Sequence, residues 1–231
     1  MPVASWVDGG RWTVDGSTEL RTTTFAVNRQ PKRQRRSTVN QKRQRRKTMT
    51  HLTPQQLEQG LPHILQSPKA EGILELIVCR PAEGERRVLE QGQLSLAEGL
   101  EGDNWHSRGS RHTPDGSAHP EKQLNIMNAR AIALIAQSKE RWPLAGDQLY
   151  IDMDLSDANL PPGSRLQMGS AIIEITPPPH NGCKKFVERF GRDAVKFVNS
   201  AVGKELHLRG LNAKVVQEGT IQTGDVVRKL G

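Results

Sequence analysis

"GDQLYIDMDLSDANLPPGSRLQMGSAIIEITPPPHNGCKKF", residues 146–186, is the stretch on which the fold turns. Its middle, "LPPGSRLQMGSAIIEITPP" (160–178), reads as turn, strand, glycine turn, strand. Three prolines, Pro177 to Pro179, stiffen the approach to residue 183 because proline fixes φ. One thiol, Cys183, is thereby delivered from a strand end into a loop. Gly182 beside it lets another group come close. Lys184 and Lys185 come next, and a helix start is expected just beyond; both features favour thiolate over thiol. A stiff, electropositive, partly exposed cysteine suits a soft metal ligand or a sulfur carrier. The competing reading is a small buried cysteine, the common fate of a free thiol. Cys79, placed mid-strand among Ile77, Val78 and Arg80, reads as core.

Working outward, "GILELIVCRP" (72–81) is strand-like, and "AEGE" (82–85) is a turn before "RRVLE". Residues 98–122 form a long loop with several glycines and His106, His112 and His119; loops of that length are usually functional or disordered. "QLNIMNARAIALIAQSKERW" (123–142) predicts a helix, with Leu124, Met127, Ala131, Leu134 and Ile135 on one stripe and Pro143 as its stop. Gln123, Asn125 and Asn128 then fall at its start, where capping explains them as well as ligand contact does. "KKFVERFGRDAVKFVNSA" (184–201) predicts a second helix with Gly191 as a weak point. "AKVVQEGTIQTGDVVRK" (213–229) predicts two short strands around glycine turns. Upstream, Thr53-Pro54 starts a helix carrying Leu57, Leu61 and Ile64 on one face. The fold class is therefore mixed α/β, predominantly β: a barrel-like domain with helical insertions.

The formal charge of +8 invites a nucleic-acid reading, but the first fifty residues hold twelve Lys/Arg and three Asp/Glu. What remains, 21 basic and 22 acidic groups, is nearly neutral. Within the basic part, KRQRRST at Lys32 and KRQRRKT at Lys42 repeat one pattern ten residues apart. Residues 1–48 are expected to be a disordered basic tail, too poor in apolar side chains to offset chain entropy. Nucleic-acid binding, a nuclear address, or a start assigned too early each explain it; the duplicated repeat and Met49 ahead of foldable sequence favour the last. The expected organisation is 1–48 tail, 49–71 helical lead-in and 72–231 principal domain. Two cysteines make no disulfide scaffold and suit a reducing compartment, so a cytoplasmic location is expected. No apolar run approaches the roughly 20 residues of a membrane helix.

From about Gly72 to Arg228 the sequence resembles the MOSC domain, the module at the C-terminus of molybdenum cofactor sulfurases and of stand-alone proteins. The likeness lies in "GLEGD" (99–103), "QLNIMNARAIALI" (123–135), "GDQL" (146–149), the 160–176 hairpin, Cys183 and "LRGLNAKVVQEGTIQTGDVV" (208–227). It departs from the commoner pattern in three places: a long loop after Asp103, "HNGC" before the thiol, and Leu211-Asn212-Ala213-Lys214 in the closing strand. The resemblance implies a β-barrel-like domain that binds a molybdenum–pterin cofactor, with Cys183 as metal or sulfur ligand. It further implies reduction of N-hydroxylated compounds with an electron-transfer partner, or handling of cofactor sulfur. A non-enzymatic cofactor or sulfur carrier is the alternative. Pyridoxal phosphate, used by the full-length sulfurases, is not expected, because the chain lacks the length for that domain.

Candidate catalytic residues are Cys183 and His119, the latter, with His180, as a proton donor. Candidate cofactor-binding residues are Lys185, Arg209, Asp103 and Asn212, with solvated surface charge or loop-holding as their plainer roles. Zinc through the loop histidines and Cys183 matches no compact spacing.

Overall fold

The structure is a computed structural model and describes residues 50–231. The basic tail and every reading attached to it lie outside the described residues.

Helix α1 (Pro54–Leu65) starts where the Thr53-Pro54 pair places it. Gln56 N donates to Thr53 Oγ1 while Thr53 N donates to Gln56 Oε1, a reciprocal cap that satisfies two orphan donors. Leu57 and Ile64 are buried, and full burial of a leucine contributes about 1.5–3 kcal/mol.

Strand β1 (Glu71–Cys79) is the longest strand of the fold and pairs on both sides. Simple alternation would put Leu74, Leu76 and Val78 on one face. A bulge between Leu74 and Leu76 switches the phase. Leu74, Ile77 and Cys79 therefore enter one core while Leu76 and Val78 enter another. β2 (Arg87–Leu89) folds back on β1, and β3 (Gln91–Ser95) and β4 (Gly99–Leu100) form a second, small sheet with β10 (Gly219–Gln222).

The main sheet is built from β5 (Leu124–Asn128), β6 (Leu149–Asp152), β7 (Arg165–Met168), β8 (Ala171–Thr176), β9 (Leu211–Gln217) and β11 (Val226–Lys229), together with β1. Its order is β11-β7-β8-β9-β5-β6-β1, and β11 pairs again with β1. Seven strands thus close into a barrel, which leaves β2 as an appendage of β1. Leu74, Ile126, Leu149, Ile151, Ile173, Ala213 and Val227 fill the interior.

The 123–142 segment corrects the sequence expectation. Residues 124–128 are strand β5, parallel to β6 and antiparallel to β9. Only Ala129–Ala136 is helical (α3), and residues 139–145 form 3-10 turns. A five-residue apolar run has no periodicity of its own, so its neighbours in the barrel decide it. Asn128 caps α3, its Oδ1 accepting from Ala131 N at 2.9 Å, whereas Gln123 and Asn125 take part in the sheet instead. The second predicted helix is two, α4 (Lys184–Phe190) and α5 (Arg192–Val198), broken at Gly191 with φ near 90°. The C-terminal segment carries three strands, β9 to β11, one more than expected.

α1, α3, α4 and α5 pack on the outside of the barrel against Leu76, Val78, Met127 and Tyr150. Among the described residues no helix is long and apolar enough to cross a membrane.

Candidate functional site

A cavity of about 950 Å³ opens where the β1–β2 turn, the 104–122 loop, residues 145–146 and the start of α4 meet. Seven cationic side chains line it: Arg80, Arg86, Arg108, Arg111, Lys122, Lys185 and Arg189, with Glu83 the one carboxylate among the lining residues. Glu83 sits at the mouth, paired with Lys185 at 2.7 Å in solvent. The field inside is therefore strongly positive, and low-dielectric walls concentrate it.

Cys183 is exposed, is a free thiol, and lines this cavity. It is the N-cap residue of α4; its carbonyl accepts from Phe186 N and Val187 N. The buried-cysteine reading is thus overturned for Cys183, while Cys79 is buried in the core. Phe186 and Phe190, one turn apart with centroids at 4.7 Å, anchor α4 to the barrel and leave its first residue facing the opening.

Two guanidinium groups converge on residue 146. A Cβ at Gly146 would lie 3.6 Å from an Arg86 Nη and 3.8 Å from an Arg189 Nη. Burial and the charges of Arg189 and Arg80 push the Arg86 pKa down, and Arg86 Nε is buried with no hydrogen-bond partner among the described residues. Two like charges held together without a carboxylate destabilise each other until an anion joins them.

The floor is a polar relay. Arg80, nearly buried, donates from Nε and Nη2 to both oxygens of Asp103 at 2.8 Å. Its Nη1 donates to Asn125 Oδ1 and Gly146 O. Asn125 Nδ2 donates to Asn212 Oδ1 at 2.7 Å, and Asn212 Nδ2 to Pro178 O at 2.8 Å. The proline-stiffened approach to Cys183 is thereby tied to the floor through five residues. A second buried pair, Arg209 with Asp147, lies behind it, and Arg209 also donates to Ala145 O.

Of the residues singled out in the sequence, Cys183, His119, His180, His112, Asn125 and Lys185 line the cavity together. Asp103, Arg209 and Asn212 are buried behind the lining and act on it through Arg80, Ala145 and Asn125. His119 Nδ1 accepts from Glu121 N at 3.2 Å, so the neutral ring carries its proton on Nε2. Sequence reasoning missed Arg80, Arg86 and Arg189, and it named Asn125 as a helix cap or ligand contact, which the structure places in the cavity lining. A charged residue directly after the apolar run Ile77-Val78-Cys79 was the available signal for Arg80; the others have none, since each is one polar residue among many.

His180 lines the cavity with its side chain 17% exposed. Its Nδ1 is 3.4 Å from Asp147 Oδ1 without making a hydrogen bond, while Arg209 Nη1 donates to both oxygens of that carboxylate. Burial first, then Arg209, Arg80 and Lys122, hold its pKa well below the usual 6.5, so it is a neutral imidazole. In the unfolded chain the ring titrates near its ordinary value. Below about pH 6.5 the unfolded state therefore binds a proton that the folded state refuses, and stability falls with pH. Urea unfolding at pH 7.5 and 5.5 should show a smaller loss in His180→Gln than in the parent; equal losses would contradict the assignment.

Residues 113–228 match the family model of the MOSC domain. The chain belongs to the MOSC domain family. The match spans the cavity's His119, Asn125, His180, Cys183 and Arg189 and begins inside the long loop, beyond Arg111. Among solved structures, the YUAD protein from Bacillus subtilis is 15% identical, over 68% of this chain and 94% of that one, with a TM-score of 0.49. YiiM from Escherichia coli is 16% identical over 69% and 70%, with a TM-score of 0.45. YiiM from Geobacillus stearothermophilus is 12% identical over 71% and 74%, with a TM-score of 0.43. No curated protein matches the chain.

Proposed function

We propose that the cavity binds a molybdenum–pterin cofactor, that Cys183 ligates its metal, and that the site reduces N-hydroxylated compounds. The observation that carries this is one exposed thiol on the wall of a cavity lined by seven cations and one carboxylate. A thiolate is a soft donor suited to a redox-active metal, and an anionic cofactor is what such a field retains. Among the described residues no three His, Cys, Asp or Glu side chains gather into a metal-holding group, and Cys183 is the residue that would hold the metal. The residues fit a phosphate-bearing group: Arg86 and Arg189 converge without a counterion at Gly146, and Arg86 Nε is an orphaned buried donor. Charge-assisted guanidinium–phosphate bonds are among the strong hydrogen bonds of proteins.

When bound, the cofactor supplies two-electron chemistry at the metal. The reaction, R–NHOH plus two electrons and two protons to R–NH2 and water, takes its electrons from an electron-transfer partner. The chain's part is to hold the substrate and deliver protons. His119, with its proton on Nε2, and the Lys122 ammonium are the proton donors lining the cavity, and His180 beside them is held neutral. The rigid relay from Asp103 to Pro178 keeps the thiol in place while this occurs. The exposure of Cys183 also supports a second reading, persulfide handling for the cofactor.

Full-length protein made in a cofactor-producing host should retain molybdenum, and Cys183→Ser should lose at least about nine-tenths of it, since replacing a metal-ligating residue costs well beyond the tenfold that outer residues do. Equal metal in both would remove Cys183 as ligand. Metal-free protein with persulfide on Cys183 would favour the sulfur-handling reading.

A further inference from the structure

Gly182 admits a close neighbour beside the thiol, and in the structure that neighbour is the side-chain amide of Asn199. Gly182 N donates to Asn199 Oδ1 at 2.9 Å, and Asn199 Nδ2 donates to Gly182 O at 3.2 Å. The opposite orientation of the amide would set donor against donor, so the two bonds fix it. A Cβ on Gly182 would lie 3.1 Å from Val198 Cγ2 and 3.3–3.4 Å from the two amide atoms. Those distances are short of ordinary contact, and Val198, 2% exposed, is packed in the core outside the barrel and has little room to give. The glycine is therefore what lets the clamp close.

Asn199 stands on a firm support. It follows α5 directly, its N–H donates to Val195 O, and Ser200 next to it caps the short helix α6 (Ala201–Glu205) by accepting from Gly203 N. Gly203 is buried, and a Cβ there would fall 2.2 Å from Phe197 O and 2.7 Å from Val198 O, so α5 and α6 are backed against each other without slack.

One short segment is thus held at both ends by asparagines. Asn212 Nδ2 takes Pro178 O, five residues before the thiol, and Asn199 takes both polar backbone groups of Gly182, the residue next to it. The Gly182 carbonyl belongs to the planar peptide that carries Cys183 N and Cα, so holding it sets where the Cys183 side chain begins. The thiol makes no capping bond to α4 that would hold it instead. Cys183 shares its cavity with Arg86, Arg189 and Arg108, the last on the short helix α2 (Trp105–Arg108), so the placement of the sulfur decides which field it meets.

We propose that Asn199 is a positioning residue for Cys183, its two hydrogen bonds to Gly182 keeping the thiol on the cationic wall. That the thiol receives a metal rests on the function proposed above; that Asn199 places it rests on the clamp alone.

The test uses the full-length protein. Made in a host without the cofactor, its exposed thiol is alkylated by anionic iodoacetate and by neutral iodoacetamide at about 0.01 M salt, where screening is weak. Both reagents attack the same thiolate, so the ratio of their rates reads the field at the sulfur, and buried Cys79 does not contribute. The parent ratio should exceed that of N-acetylcysteine at least about threefold, and Asn199→Ala should lose at least about half of that excess. Gly182→Ala, which forces the clamp from its other side, should do the same. Amide exchange at Gly182 should quicken at least about tenfold in Asn199→Ala. Ser200→Ala removes the neighbouring helix cap and lowers stability, yet should alter neither the ratio nor the exchange. In a cofactor-producing host Asn199→Ala should retain less than about half of the parent's molybdenum, because residues that hold a ligand in place cost about 10–100-fold in metal affinity. A parent ratio no higher than that of N-acetylcysteine overturns the proposal, as does an unchanged ratio in either clamp variant, unchanged Gly182 exchange, or full molybdenum in Asn199→Ala. Equal effects in Ser200→Ala overturn it too, by assigning the changes to the helix junction. A parent without molybdenum retires the cofactor reading, while ratio and exchange still decide the role of Asn199.

Discussion

Asp103→Ala is expected to lower the unfolding free energy by about 3–5 kcal/mol, the cost of breaking a buried ion pair from one side. The Asp103 side chain is fully buried and that of Arg80 is 6% exposed. Asp103 accepts from Arg80 N, Nε and Nη2 and from Trp105 N, all between 2.8 and 3.0 Å. Without the carboxylate a guanidinium is left in a site with too few acceptors, beside other cations, and Trp105 N in the 104–122 loop loses its anchor. For a chain of this size each kcal/mol shifts Tm by about 2–4 °C, so the expected drop is roughly 6–20 °C. Asp103→Asn keeps the shape but not the charge and should fall between. Glu83→Ala breaks an exposed pair that solvent screens and should leave stability unchanged. Urea titration followed by tryptophan fluorescence measures all three; a loss under about 1 kcal/mol for Asp103→Ala would show that the pair contributes little beyond its own desolvation.

The contrast between Asp103 and Glu83 also explains how far the sequence could be read. Turn-forming and strand-forming residues announced the 165–176 hairpin, because glycine and proline act locally and the strands alternate. Closure of the barrel was not visible, since β1 meets β11 through residues more than 150 positions apart. The phase switch at Leu74–Leu76 is equally silent, because a bulge is selected by the partners on either side and not by the run itself. The same holds for β5, where Leu124, Ile126 and Met127 suit a helix as well as a strand until β6 and β9 are in place.

Cys183 was legible because its prolines, glycine and lysines are neighbours in the chain. Arg86 and Arg189 were not: they lie about a hundred residues apart and meet only because α4 docks beside the β1–β2 turn. Asp103 and Asn212 were singled out as cofactor contacts, and the structure puts them behind the surface, on the partners that line it. Residue type identifies a group able to bind an anion; whether it faces the cavity or another side chain depends on tertiary pairing.

Arg209 carries the same point into the positioning of the thiol. Its Nη1 donates to both oxygens of Asp147 at 2.8–2.9 Å, its Nη2 donates to Ala145 O, and its guanidinium lies 4.9 Å over the Phe186 ring. Phe186 is in the first turn of α4, so the arginine joins the helix that bears Cys183 to the 145–147 segment of the cavity wall. Arg209→Ala should cost about 3–5 kcal/mol by leaving Asp147 buried and unpaired. Arg209→Lys keeps the charge but cannot supply the planar fork and the stacking at once, so it should recover only part of that. Pairing Arg209→Met with Asp147→Asn removes both charges and should be less damaging than Arg209→Ala alone, which distinguishes an orphaned carboxylate from lost packing. Amide exchange adds a readout specific to the site: residues 184–190 should exchange faster in Arg209→Lys, while the barrel strands β7 and β8 keep their protection. Uniform loss across the domain would assign Arg209 to global stability alone and detach it from the placement of Cys183.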